Sequence, residues 1–175
     1  RGSGKSYAIN LFLNTLTYTE GHKILFTRYT MTSAHTSIIP EFVDKIEIMG
    51  AGDDFRVTRD EIINQQTDSA IMFKGIRTSS GNQTAALKSL SGVTTFVVDE
   101  AEELVEEGVF DKIDLSVRSN KQQNRVILIL NPTTKEHWIY KRFFESRGVE
   151  AGFNGVKGDT TYIHTTYMDN MANLP

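Results

Sequence analysis

Arg1-Gly2-Ser3-Gly4-Lys5-Ser6 opens the chain, and its reading decides the fold. Gly4-Lys5-Ser6, with Gly2 before it, forms the second half of the phosphate-binding pattern G-x-x-x-x-G-K-[ST], whose first glycine would stand two places before Arg1. The chemistry requires these residue types. Glycines let backbone N–H groups curl around phosphate oxygens, Lys5 reaches the β and γ phosphates, and Ser6 offers a hydroxyl to Mg²⁺. The helix that follows turns its N-terminus toward the anion. Arg1, Gly2, Ser3, Gly4, Lys5, Ser6 and Tyr7 are therefore the candidate nucleotide-binding residues. A Gly/Ser loop that only caps a helix has a similar composition, and that reading stays open at this point. A phosphate loop follows a strand that inserts it into a sheet. The sequence is accordingly expected to be a fragment, with its first strand before Arg1 and further chain after Pro175.

The second decisive stretch is Thr95-Phe96-Val97-Val98-Asp99-Glu100, the densest apolar run that ends in carboxylates. A strand buried on both faces would deliver these acids to the C-terminal edge of a parallel sheet, where open α/β folds bind ligands. Asp99 is expected to hold the Mg²⁺ shell together with Ser6, and Glu100 to polarise an attacking water. Both acids, with Glu102 and Glu103, also suit the first turn of a helix. That alternative explains the acidic run but not its pairing with a phosphate loop about ninety residues upstream. Together the two stretches point to ATP hydrolysis, with ATP and Mg²⁺ as cofactors. The adjacent Glu selects the P-loop NTPases that carry an additional strand between the loop strand and the Asp strand.

Two further residues join the candidate catalytic set of Glu100 and Lys5. Asn131 ends the run Arg125-Val126-Ile127-Leu128-Ile129-Leu130, where a γ-phosphate sensor would stand, although Asn131-Pro132 is also an ordinary turn signal. Arg1 either stabilises transition-state charge in cis or is a solvated loop cation. His22, His35, His137 and His164 show no metal-ligand spacing and receive no role.

Outward from these stretches, the pattern alternates helix and strand. Apolar residues recur at helical spacing over 5–18, and 23–28 reads as a buried strand. Residues 33–49 read as a helix kinked or restarted at Pro40. Residues 55–58 and 70–73 read as small strands of an insertion on the sheet edge, and 75–92 as a polar loop with one helical turn at 85–90. Residues 125–130 read as a fully buried strand, 136–146 as an amphipathic helix, and 161–166 as a last strand. Trp138, Tyr140, Phe143 and Phe144 in that helix are read as core. The predicted architecture is α/β, a mainly parallel sheet sandwiched by helices, with 1–175 as one ATPase core domain.

Composition agrees with this reading. At 175 residues, 39% hydrophobic and 23% charged, the chain suits one globular domain without disordered tracts. The absence of cysteine excludes a disulfide scaffold and a thiolate metal site, and fits a reducing compartment such as cytoplasm. No apolar run approaches the ~20 residues that span a bilayer, so no membrane partner is expected. A formal net charge of −3 gives no standing basic surface for nucleic acid, so any DNA contact is expected to be local.

At this point the residues resemble the ATPase domain of the large terminase subunit, the genome-packaging motor of tailed bacteriophages. That family's phosphate loop has the form G-G-R-G-S-G-K-S, which the opening matches down to Arg1. ILFTR ending at Arg28, AIMFKGI, LKSLSGVT, DEAEEL at 99–104, LNPTTKEHWIYKRFF at 130–144 and the closing TTYMDNMANLP follow in the family's order. The family's C-terminal nuclease has no counterpart in these residues, so no nuclease activity is expected of them. The resemblance implies ATP-driven translocation of double-stranded DNA into a procapsid in the host cytoplasm. It also implies a homo-oligomeric ring, a portal protein and a small terminase subunit as partners, and a cation donated in trans, for which Lys88 and Arg28 are candidates. A helicase-like DNA translocase and a nucleotide-gated binding module remain the competing readings.

Overall fold

The computed structural model describes residues 2–31, 34–78, 81–82 and 91–173. Arg1, Lys88 and the helical turn expected at 85–90 lie outside the described residues. The chain starts with α1 (Lys5–Leu16), β1 (Lys23–Thr30), α2 (Ala34–Ser37) and α3 (Ile39–Ile48). Next come β2 (Phe55–Val57), β3 (Glu61–Asn64), β4 (Ala70–Thr78), the two-residue β5 (Gly81–Asn82) and β6 (Thr95–Asp99). It ends with α4 (Glu107–Asp114), β7 (Arg125–Ile129), a π-helical turn Tyr140–Glu145, β8 (Gly155–Lys157), β9 (Thr160–Tyr162) and a 3-10 segment, Tyr167–Asn173.

The main sheet runs β2-β3-β4-β1-β6-β7, with β5 paired to β4. Strands β4, β1, β6 and β7 are parallel, and β2 and β3 form an antiparallel edge. Register places Phe26 beside both Phe73 and Val97, and Val97 beside Ile127. Side chains alternate across a strand, so this register sorts the apolar residues into two cores. Ile24, Phe26, Ile71, Phe73 and Val97 face α1 and α3, where Phe42 packs edge-on to Phe26 and Phe73. Leu25, Met72, Phe96 and Val98 face α4, where Phe110 stacks on Phe96 and meets Trp138. The mainly parallel sheet between helices is the architecture predicted above. Among the described residues no helix is long and apolar enough to cross a membrane.

Several elements differ from the pattern reading, each for a physical reason. β4 is not part of an edge insertion. It is nine residues long and lies inside the sheet, parallel to β1. Gly75 hides this continuation in the sequence, and its presence follows from packing: a Cβ there would stand 3.2 Å from the Met31 backbone nitrogen. β7 is not fully buried, with Val126 at 40% exposure, because β7 is the outermost strand on its side among the described residues. The restart expected at Pro40 within 33–49 is present, by contrast: α2 ends at Ser37 and Pro40 falls in the first turn of α3, where no N–H is needed. The expected helix at 136–146 ends in a π-turn, with Ser146 N–H bonded to the Lys141 carbonyl at 2.9 Å. The expected last strand forms a separate hairpin, β8 with β9. Of the aromatics in that region, Trp138 is buried, and Phe143 and Phe144 pack against the same core.

Candidate nucleotide-binding and catalytic site

A cleft of about 350 Å³ opens at the C-terminal edge of the parallel strands. Gly2, Ser3, Gly4, Lys5, Ser6 and Tyr7 line one side, Asp99 and Glu100 another, with Ile129, Leu130 and Asn131 behind. Arg28, Glu102 and Glu103 complete the lining. The structure therefore brings together all the described candidate residues of the sequence reading, Arg28 among them, and adds Glu102 and Glu103.

The loop owes its shape to two glycines, Gly2 at φ 77° and Gly4 at φ 76°, in a region L side chains avoid. Gly4 is also the N-cap of α1. It brings no side-chain cap, and the first turn contains no acidic residue. The orphan N–H groups and positive dipole end of a twelve-residue helix thus have no side-chain cap and are suited to an anion.

Lys5 leads a short polar chain across the cleft. Its Nζ donates to Asn131 Oδ1 at 3.0 Å, and Asn131 Nδ2 donates to Glu102 Oε1 at 2.7 Å. Glu102 Oε2 is buried without a hydrogen-bond partner among the described residues. His137 fixes the Glu102 backbone: its Nδ1 accepts from the Ile139 N–H, so the Nε2–H donates to the Glu102 carbonyl at 3.2 Å. Trp138 Nε1–H likewise bonds the Leu104 carbonyl. The segment after Glu100 is thereby held by the segment after Asn131.

Asp99 is only 5% exposed and is paired with Arg28. The β1–β6 register sets the two residues side by side, and Arg28 Nε and Nη2 both donate to Asp99 Oδ2, at 2.9 and 2.6 Å. Burial opposes the charge on Arg28, but its bonds to Asp99 and its proximity to Glu100 leave its pKa above the ordinary arginine value. Arg28 Nε also lies 3.4 Å from Glu100 Oε2. The guanidinium expected as a trans-acting candidate is thus engaged with acids of its own chain.

Glu100 stands at φ 52°, ψ 45°, a left-handed conformation rare for a residue with a side chain. Holding it there costs of the order of 1–3 kcal/mol, and such residues cluster at functional sites, although Asp68, in a turn away from the cleft, also has a positive φ. Partial burial pushes its carboxyl pKa up, Asp99, Glu103 and Glu102 add to the rise, and Arg28 opposes it. A carboxylate with raised basicity is suited to take hydrogen bonds from a water.

Among the described residues no cluster of three or more His, Cys, Asp or Glu is placed to hold a metal. Ser6 and Asp99, both hard oxygen donors on the cleft wall, fit Mg²⁺ nonetheless. That ion uses one or two protein ligands and completes its shell with phosphates and water.

A mostly parallel sheet whose ligand edge gathers a glycine loop, an uncapped helix and a strand-end acid is the architecture of the P-loop NTPases. Within that class the chain belongs to the phage terminase large subunit family, whose family model matches residues 1–175. Solved structures agree on the fold. The large terminase of a thermophilic bacteriophage superimposes with a TM-score of 0.71 at 13% identity, over 99% of this chain and 40% of that chain. The same terminase in complex with ADP gives 0.68 at 11% identity, over 97% and 39%. The N-terminal domain of the DNA packaging ATPase from bacteriophage phi29 gives 0.55 at 18%, over 82% and 75%. The chain thus spans about two fifths of the thermophilic phage's terminase. No curated protein matches the sequence.

Proposed function

We propose that this chain is the ATP-hydrolysing motor core of a phage large terminase, driving double-stranded DNA into a procapsid. The observation that carries it is the cleft that collects Lys5, Ser6, Asp99, Glu100 and Asn131 on one sheet edge. The ADP complex of the thermophilic phage's terminase and the packaging role named for the phi29 ATPase support it. The partners this reading implies are a ring of like subunits on a portal, a small terminase subunit and DNA, in the host cytoplasm. Residues 1–175 act as one ATPase core within it.

In this mechanism the loop N–H groups and the α1 N-terminus bind the phosphates, and Lys5 leaves Asn131 to meet the β and γ phosphates. Asn131, freed from Lys5 yet still tied to Glu102, stands where it can sense the γ phosphate. Glu100 orients a water in line with the γ phosphorus and accepts its proton as ADP departs with the electron pair of the broken bond. Ser6 and Asp99 would hold Mg²⁺, which neutralises phosphate charge when bound. The direct test is phosphate release by the full-length protein with and without Mg²⁺. Asp99→Asn should lower Mg²⁺-dependent turnover by about 100-fold or more, at least the roughly 10- to 100-fold that loss of an outer-shell partner costs, while leaving Mg²⁺-free nucleotide binding in place. A wild type that neither binds nor turns over ATP would end this reading.

Arg28 supplies a second expectation. Its two bonds to Asp99 neutralise that carboxylate. Arg28→Gln should then reduce unfolding free energy by about 2 kcal/mol in urea, as expected for hydrogen bonds to a charged group. With saturating Mg²⁺ and an ATP analogue the deficit should shrink, because another cation then compensates Asp99. An equal deficit in both conditions would make Arg28 a permanent strut.

A further inference from the structure

Asn170 lies in the 3-10 segment Tyr167–Asn173, 168 residues along the chain from Gly2, yet its Nδ2 donates to the Gly2 carbonyl at 2.8 Å. A carbonyl can only accept, so the nitrogen of the amide must be the atom that faces it. The Asn170 Cγ also lies 3.7 Å from the place a Cβ would take on Gly4. One side chain therefore rests on both left-handed glycines of the phosphate loop. Gly2, Ser3 and Gly4 line the cleft whereas Asn170 does not, so the amide holds the loop without itself forming the cleft wall.

Among the described residues the peptide bonds are all trans, and a trans peptide points its C=O and the following N–H in opposite directions. Fixing the Gly2 carbonyl toward Asn170 turns the Ser3 N–H away from Asn170, and Ser3 is a residue of the cleft lining. Glycines give up this orientation easily, since their backbone has the widest choice of conformations. The brace is itself anchored. The Thr166 N–H and hydroxyl both donate to Asp169 Oδ2, at 2.6 and 2.9 Å, and the Met168 N–H donates to Thr166 Oγ1 at 3.2 Å. That turn sets where residue 170 stands.

We infer that Asn170 is a positioning residue for phosphate binding, presetting the Gly2–Ser3 peptide for the anion; the inference rests on the nucleotide reading above. Linkage makes the effect reciprocal: a contact that favours phosphate binding is strengthened by phosphate to the same factor. Nucleotide occupancy is therefore felt by the segment Tyr167–Asn173, outside the cleft.

The test uses the full-length protein with ADP and with tripolyphosphate, which has no base and reads the loop alone. Asn170→Asp keeps the size of the side chain but sets a carboxylate oxygen against the Gly2 carbonyl. It should weaken both probes five- to tenfold, and Asn170→Gln, which retains the donor, should recover part of the loss. In the wild type, ADP should slow backbone hydrogen exchange over residues 168–173. Unchanged affinities in the Asp variant, or unchanged exchange in the wild type on binding ADP, would overturn the assignment while leaving the nucleotide site standing. A wild type that binds neither probe would overturn the nucleotide reading and this inference with it.

Discussion

Glu100→Gln should cut ATP turnover of the full-length protein by about 10²- to 10⁴-fold, the range that a positioned general base supplies. Nucleotide affinity should stay within a factor of about two, because in the proposed mechanism the residue acts on water rather than on phosphate. Glutamine has the same shape and keeps the side chain in place at the left-handed turn. What it loses is the negative charge, whose basicity burial and three neighbouring acids raise. The salt bridge to Arg28 at 3.4 Å is lost with it, but Arg28 keeps its two bonds to Asp99. The variant should therefore fold and bind normally. The measurement is phosphate release beside calorimetric binding of an ATP analogue. Slow hydrolysis that the substitution leaves unchanged would remove the water-polarising role and favour a module in which nucleotide occupancy, not turnover, does the work.

The residues legible in the sequence are those whose role is fixed by local chemistry. Gly2, Gly4, Lys5 and Ser6 suggest a phosphate loop by spacing, a reading that only their pairing with Asp99 and Glu100 makes specific, and those two acids stand out because a wholly buried strand ends in the first of them. Asn131 is legible by position, after the next apolar strand. Arg28, Glu102 and Asn170 are not legible as parts of the resting site, since their partners are set by tertiary register. Arg28 meets Asp99 only because β1 and β6 are neighbours in register, 71 residues apart along the chain. Glu102 reads as one of four acids, and only its bond to Asn131 separates it from the others. The pattern cuts β4 short for a related reason: Lys74-Gly75 looks like a strand end until the approach of Met31 explains the glycine. A sequence signal for Arg28 does exist, a cation closing an apolar strand, but it becomes specific only once strand order is known.

Lys5→Ala should weaken ATP binding by about 2–5 kcal/mol, roughly 30- to 5,000-fold, the cost of removing one partner from a largely desolvated charge pair. In the structure the Lys5 ammonium is held by a neutral acceptor, Asn131 Oδ1 at 3.0 Å. A phosphate is the better partner because the bond becomes charge-assisted from both sides. Binding therefore exchanges a modest hydrogen bond for a strong one, and alanine forfeits the difference together with the charge. Stability should change little, because Asn131 keeps its 2.7 Å bond to Glu102 and no other hydrogen bond of the site passes through Lys5 Nζ among the described residues. Lys5→Arg should not restore affinity, since a planar fork does not occupy the place of a compact ammonium. Asn131→Ala provides the contrast. It frees Lys5 from its resting partner without removing the cation, so affinity should change far less than in Lys5→Ala while turnover suffers from loss of the sensor. Isothermal titration of the three variants with ATP in the absence of Mg²⁺ isolates the loop contribution. Equal affinity in wild type and Lys5→Ala would remove the phosphate loop from this site, and with it the assignment of the cleft to a nucleotide.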